Sequence, residues 1–312
     1  MQPSIVIAIY ALLVVLSSLL GGFLPAFIRL SHTRLQLLLS GIGGLMLGIG
    51  LFHLLPHSLN AEVSIDRAVW WLMLGLLTTF LLIRVFSSHD HGHGHDSHTE
   101  AGGDGCSHEG PHRLAGSKYR WVGIALGLSL HTLLDGVALS AAVLSDRQHM
   151  SEGIFLGFAV FLGILLHKPL DSLSITTLMA GSGWSVRSQA VVNFVYAMMC
   201  PLGSLAFYLG VRNTPYEMVV IGCALAFAGG IFICISLGDL LPELQFHTHD
   251  RFKLTAMLLF GVALAHGLRY LEPAHLHDHN SHSHDHNFHP AEDTDHDHDK
   301  PHKQAHEQEH PQ

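Results

Sequence analysis

Runs of about 20 apolar residues, each able to cross a hydrocarbon core of roughly 30 Å, limit most severely what this chain can fold into. Eight can be marked, at about 4–28, 35–59, 67–86, 119–144, 153–180, 188–211, 217–241 and 254–272. In lipid the backbone must satisfy its own polar groups, so runs of this length read as helices. Charged residues make up only 13% of the 312, where soluble proteins carry about 25%, and most of that charge sits in short stretches between the runs. A soluble fold is thereby excluded. The expected class is all-α, a polytopic membrane protein with eight transmembrane helices. Residues 1–86 hold the first three and residues 119–272 the other five. The N-terminus has no basic n-region and no convincing cleavage site, so the first run reads as a retained helix, not a signal peptide.

Two polar regions separate from this pattern. Residues 87–118 include HDHGHGHDSH, and the tail at 273–312 includes HLHDHNSHSHDHNFH followed by DTDHDHDKPHKQAHEQEH. Of the 28 histidines, 19 fall there. Neutral imidazoles are good ligands for zinc, copper and nickel. Both regions lack the apolar residues that would offset the entropy of ordering a chain, so both are expected to be disordered without metal. The net charge of -9 comes largely from their acids and describes the membrane core poorly. Four cysteines, Cys106, Cys200, Cys223 and Cys234, form no CxxC pair, so neither a disulfide framework nor a thiolate zinc module is indicated.

Basic residues set the expected orientation. With both termini outside, Arg29, Arg34, Arg84, Arg113, Lys118, Arg120, Arg187, Arg251 and Lys253 fall on the cytoplasmic side. The outer loops then keep only Arg67, Arg147, Arg212 and Arg269 near the membrane. This satisfies the positive-inside rule and places the 87–118 loop in the cytosol.

The chemistry lies at mid-membrane. Span four reads WVGIALGLSLHTLLDGVALSAAV, with His131 and Asp135 near its centre, and span five carries His167, Lys168 and Asp171 at similar depth. Ionisable groups there cost a few kcal/mol each and face a partner or a wet cavity. In both spans the His and the acid are four residues apart, which stacks them on one helical face. Two imidazoles and two carboxylates suit a zinc-type divalent ion better than calcium or magnesium. The plain alternative is a His–Asp hydrogen bond that ties each helix down. Two matched pairs on consecutive spans weigh against it, as does Pro169, which frees the carbonyl of Leu165 one turn earlier. Lys168 can snorkel, pair with an acid, or stand beside the metal as a fixed cation that disfavours a second ion. We therefore expect one metal.

Flanking residues extend the path. His53 and His57, in LFHLLPHSL near the outer end of span two, are entrance candidates, with an unremarkable interfacial pair as the alternative. Asp239, Glu243, His247 and His249, in ISLGDLLPELQFHTH, are exit candidates, although the two acids also read as a solvated helix end. Cys200, before Pro201 in span six, reads by position as a small hydrophobe more than as a ligand.

Together these segments resemble the ZIP (Zrt/Irt-like protein) family of metal transporters. The resemblance rests on His131-Thr-Leu-Leu-Asp135-Gly136, His167-Lys168-Pro169-Leu-Asp171, the HLLPHS of span two and the DLLPEL of span seven. It implies eight spans, a His-rich cytoplasmic loop between spans three and four, both termini outside, and metal flow into the cytosol. Many members have Glu at the positions of Asp135 and Asp171, Asn at that of Thr132, and Glu-Pro-x-Gly where this chain has Cys200-Pro201-Leu202-Gly203. Where members hold two metals, an acid occupies the place of Lys168. These departures weaken a second site, agree with a single ion, and make Cys200 a tentative ligand.

The expected function is transport of a divalent transition metal, zinc first, toward the cytosol by alternating access. The expected partners are the ion and the bilayer, with a homodimer compatible and no nucleic acid. A cation diffusion facilitator exporter also uses two His-x-x-x-Asp motifs, but on nonconsecutive spans of a six-helix protein. An intramembrane metal hydrolase needs an open coordination position and a general base, yet the chain has no HExxH, so we expect no enzyme. A tethered metal buffer would explain the His-rich stretches and leave the mid-membrane residues without a role.

Overall fold

The computed structural model describes residues 2–27, 32–87, 120–149, 156–212, 214–246 and 251–270. The 87–118 loop from residue 88 onward, the tail at 273–312, His247 and His249 lie outside the described residues. Those that are described form helices joined by turns, with no strand among them. The helices are α1 (Pro3–Phe27), α2 (His32–Ile49), α3 (Leu55–Asn60), α4 (Ile65–Ser87), α5 (Arg120–His149), α6 (Phe158–Gly181), α7 (Val186–Ala197), α8 (Met199–Val211), α9 (Glu217–Phe246) and α10 (Arg251–Leu268). A π-helical turn, Gly50–Leu54, joins α2 to α3. Eight segments are long and apolar enough to span a membrane, the second made of α2 through α3 and the sixth of α7 with α8. Apolar side chains exposed along α1 and α4, such as Leu12, Leu16, Leu20, Trp70 and Leu81, form the surface a lipid-facing helix requires.

Prolines account for the irregularities. Pro56 has no N–H and would crowd the carbonyl four residues back. The chain widens by one residue ahead of it, and the Leu55 N–H bonds the Gly50 carbonyl. Within α6, Pro169 frees the Leu165 carbonyl as its position implied, and the Ser17 hydroxyl of α1 donates to that oxygen at 2.8 Å. Span six breaks at Met198, so that Pro201 falls in the first turn of α8, where a missing N–H costs nothing. Span five starts later than the hydrophobic run: Gly157, at φ 64, caps α6 in a left-handed conformation and gives its N–H to the Asp146 carboxylate at 2.7 Å.

The spans pack as two groups. α1 lies along α6, and α5 along α8, which with α7 makes one group of spans one, four, five and six. α2 lies along α10 and α9, and α4 along α9, which makes a second group of spans two, three, seven and eight. The groups meet where α5 faces α9 and α2 faces α6. A buried apolar cluster that includes Ile49, Leu139, Ile164 and Phe232 fills that contact.

Candidate metal centre

The four-residue spacing brings His131 and Asp135 together on one face of α5, and His167 and Asp171 on one face of α6. The Asp135 Oδ2 atom is the focus. His131 Nε2 lies 3.3 Å from it and His167 Nε2 lies 3.4 Å from it. All three donor atoms lie within 4.8 Å of one another, and all three residues are buried. A tetrahedral zinc ion with bonds of about 2.0–2.1 Å separates neighbouring donors by about 3.3–3.4 Å, which both distances to Oδ2 match.

Hydrogen bonding prepares these atoms for a cation. His167 Nδ1 lies 2.8 Å from the Gly163 carbonyl, which can only accept, so Nδ1 carries a proton, while Nε2 faces Asp135 Oδ2 at 3.4 Å. Both ring nitrogens of His131 and the Oδ1 of Asp135 have no hydrogen-bond partner among the described residues. Buried polar atoms are normally satisfied, and three unsatisfied ones on adjoining side chains suit a bound ion or water.

Asp171 stands at the rim of this set. Its side chain is 17% exposed, its Oδ2 lies 3.8 Å from His167 Nε2, and it accepts from Tyr196 Oη at 3.0 Å. Lys168 is fully buried and pairs with both acids, touching Asp135 Oδ2 directly and Asp171 Oδ2 at 3.0 Å. Its ammonium also donates to Thr132 Oγ1 at 3.2 Å, which in turn lies 2.8 Å from the Tyr196 hydroxyl. Tyr196 was not apparent as a site residue. The signal for it was a tyrosine inside an apolar run, whose hydroxyl needs a partner when buried.

Other candidates are placed differently. Cys200 is buried among apolar side chains, and its thiol is not one of the convergent donors. It acts through its backbone: a Cβ at Gly136, next to Asp135, would strike the Cys200 carbonyl, so Gly136 lets α5 and α8 meet. His53 bonds the Ala265 carbonyl at 2.8 Å through Nε2. His57 faces Asp146 of α5, 3.8 Å away, and that acid was also not apparent from the sequence pattern. Asp239 and Glu243 fall within α9, but their side chains lie outside the description.

A cavity of about 350 Å³ reaches the centre from one direction. His131 and Asp171 line its inner end; Ile83, Ile124, Ser174 and Gly238 line the rest. It lies between the two groups, at the ends of α4 and α5 that lead into residues 88–119.

The family model of the ZIP zinc transporter matches residues 83–269 of the 312. The chain belongs to that family. Zinc transporter ZIP9-B of Xenopus laevis is 24% identical over 289 residues, covering 78% of this chain and 88% of the relative. Metal cation symporter ZIP8 of Homo sapiens is 32% identical over 123 residues, or 39% of this chain and 24% of that protein. Membership, with eight membrane-length helices, makes this ZIP protein an integral membrane protein of a metal-transport family and sets aside the cation diffusion facilitator reading.

Proposed function

We propose that this ZIP protein carries one zinc ion at a time into the cytosol, by alternating access at a site made of His131, Asp135, His167 and Asp171. Three buried residues whose donor atoms lie within 4.8 Å of one another, with both His131 nitrogens short of hydrogen-bond partners and a cavity on one side, carry this reading. Asp171 completes the fourth position from the rim, with Tyr196 orienting it as an outer partner. Lys168, beside these acids, disfavours a second divalent ion. We take the chain to be a carrier and not an enzyme.

The packing supports a rocking motion. The interhelical hydrogen bonds described here join helices of the same group, whereas the contact between groups is apolar and carries the His57–Asp146 pair at its end away from the cavity. Sliding of one group against the other would close the cavity and open a path past His57 and His53, as in carriers whose repeats or bundles rock about a fixed site. In this reading the cavity faces the cytosol. Zinc collected by the histidines of residues 273–312 leaves past Asp239, Glu243, His247 and His249 toward the 87–118 loop. Protons compete with metal for the ligands, so uptake weakens at low external pH.

Zinc uptake into proteoliposomes tests the site, comparing wild type with His131→Ala. The expected result is loss of saturable uptake with the fold intact by thermal melting. Uptake at the wild-type level would remove His131 from the site and with it the proposed ligand set.

A further inference from the structure

The Lys168 ammonium contacts the one carboxylate oxygen that both imidazoles face. The other oxygen of the same carboxylate, Asp135 Oδ1, is buried and has no hydrogen-bond partner among the described residues. The lysine instead takes Oδ2, the atom nearest His131 Nε2 and His167 Nε2. A metal ion bound through those nitrogens and that oxygen would lie beside a second cation on the same oxygen, in an interior where repulsion is strong. The two compete for Oδ2. The ammonium nevertheless has somewhere to go. Thr132 Oγ1 at 3.2 Å is already within its reach, and the Tyr196 ring centre is 5.9 Å away.

From this we infer that Lys168 is a tethered counter-cation that the cargo must displace from Asp135, and that retakes Asp135 when the cargo leaves. The inference rests on the ligand set proposed above. It reaches beyond blocking a second metal, because it gives the lysine a part in each half of the transport cycle.

Charge explains why a carrier gains by this. With two carboxylates, neutral imidazoles and the ammonium, the site holds one net negative charge when empty and one net positive charge when a divalent ion is bound. The cost of burying charge grows with its square, so the two forms cross the apolar contact between the groups at similar cost. Without the lysine the empty site holds two negative charges, four times the burden, while the loaded site is neutral. The cargo would then bind more tightly and the empty carrier would return slowly. The ammonium thus trades affinity for turnover.

The experiment uses the full chain, purified for zinc affinity by chelator competition and reconstituted for uptake. Lys168→Gln should bind zinc at least ten-fold more tightly than wild type, and both the maximal uptake rate and the half-saturating zinc concentration should fall. Equal or weaker binding, or a raised half-saturating concentration, would overturn the exchange and leave the lysine as a structural tie. If Lys168→Gln does not fold, the comparison moves to Asp171→Asn with and without Lys168→Gln, where one buried carboxylate fewer relieves the charge. The double variant should again bind at least ten-fold more tightly than Asp171→Asn alone, and no gain would overturn the exchange. Wild type and His131→Ala run alongside. If wild type binds no zinc, or His131→Ala binds as well as wild type, the ligand set fails; if both controls behave and the lysine variants gain no affinity, only the exchange fails.

Discussion

The two groups of spans use different means to hold helices together. Spans two, three, seven and eight rely on small residues that let backbones touch. A Cβ at Gly230 would strike the Leu72 carbonyl, and one at Gly261 the Gly41 carbonyl. Their side-chain bonds, from Ser40 to the Leu254 carbonyl and from Ser236 to the Gly43 carbonyl, run to backbone. Spans one, four, five and six have close approaches too, but add a side-chain network at mid-membrane. Ser18 donates to Ser172, which donates to Asn193 at 2.9 Å, while Tyr196, Thr132, Lys168, Asp171 and Asp135 form a second chain of contacts. The first arrangement makes a wall, and the second makes a cradle in which ionisable side chains are held by defined partners. A group that binds and moves an ion through a largely apolar contact gains when its polar atoms are satisfied from within.

Three variants can break or sharpen this contrast. The largest effect is expected from Asp135→Asn in the cradle, which removes the negative charge that both imidazoles face. Zinc binding by the folded protein should weaken by about 100-fold or more, beyond the 10–100-fold that outer partners command, while the thermal midpoint falls less far because Lys168 keeps its pairing with Asp171. A variant that unfolded in step with its lost binding would make Asp135 a structural residue. Next comes Gly230→Ala in the wall. Overpacking costs about 1–3 kcal/mol, so the midpoint should fall clearly while zinc affinity of the folded fraction holds. Gly210→Ala, where an added Cβ meets nothing within 4 Å, is its control and should be neutral or slightly stabilising. If both glycine variants behaved alike, close packing would not be what holds the wall. The smallest effect is expected from Tyr196→Phe, an outer partner of Asp171, with affinity lowered about ten-fold and little change in stability. Calorimetric titration would read it, and an unchanged affinity would mean that Asp171 is not oriented by the tyrosine.

Much of this could be read locally. A helix repeats every 3.6 residues, so His131 with Asp135 and His167 with Asp171 share faces whatever the surrounding fold. Pro169 had to free the Leu165 carbonyl, and it did, although nothing in the sequence names Ser17 as the donor that takes it. Cys200 shows the limit of the same reasoning. Its position before Pro201 read as a small hydrophobe and its place in a known motif made it a tentative ligand; the meeting of α8 with α5 turned its carbonyl toward Gly136 and left its thiol among apolar side chains. His53 and His57 share a span, yet one is tied to Ala265 of α10 and the other faces Asp146 of α5.

What the sequence by itself determined was the class of molecule and the donor chemistry: eight membrane-length helices, two His-x-x-x-Asp faces, and a lysine among them. These follow from hydrophobicity and helical periodicity, which act over a few neighbouring residues. Only the tertiary structure decided that four spans form a cradle and four a wall, that the two imidazoles converge on a single oxygen of Asp135, and that Lys168 and Tyr196 stand around it. Those outcomes depend on how helices distant in sequence rotate and slide against one another, and that is set by packing between spans, about which each span taken alone is silent.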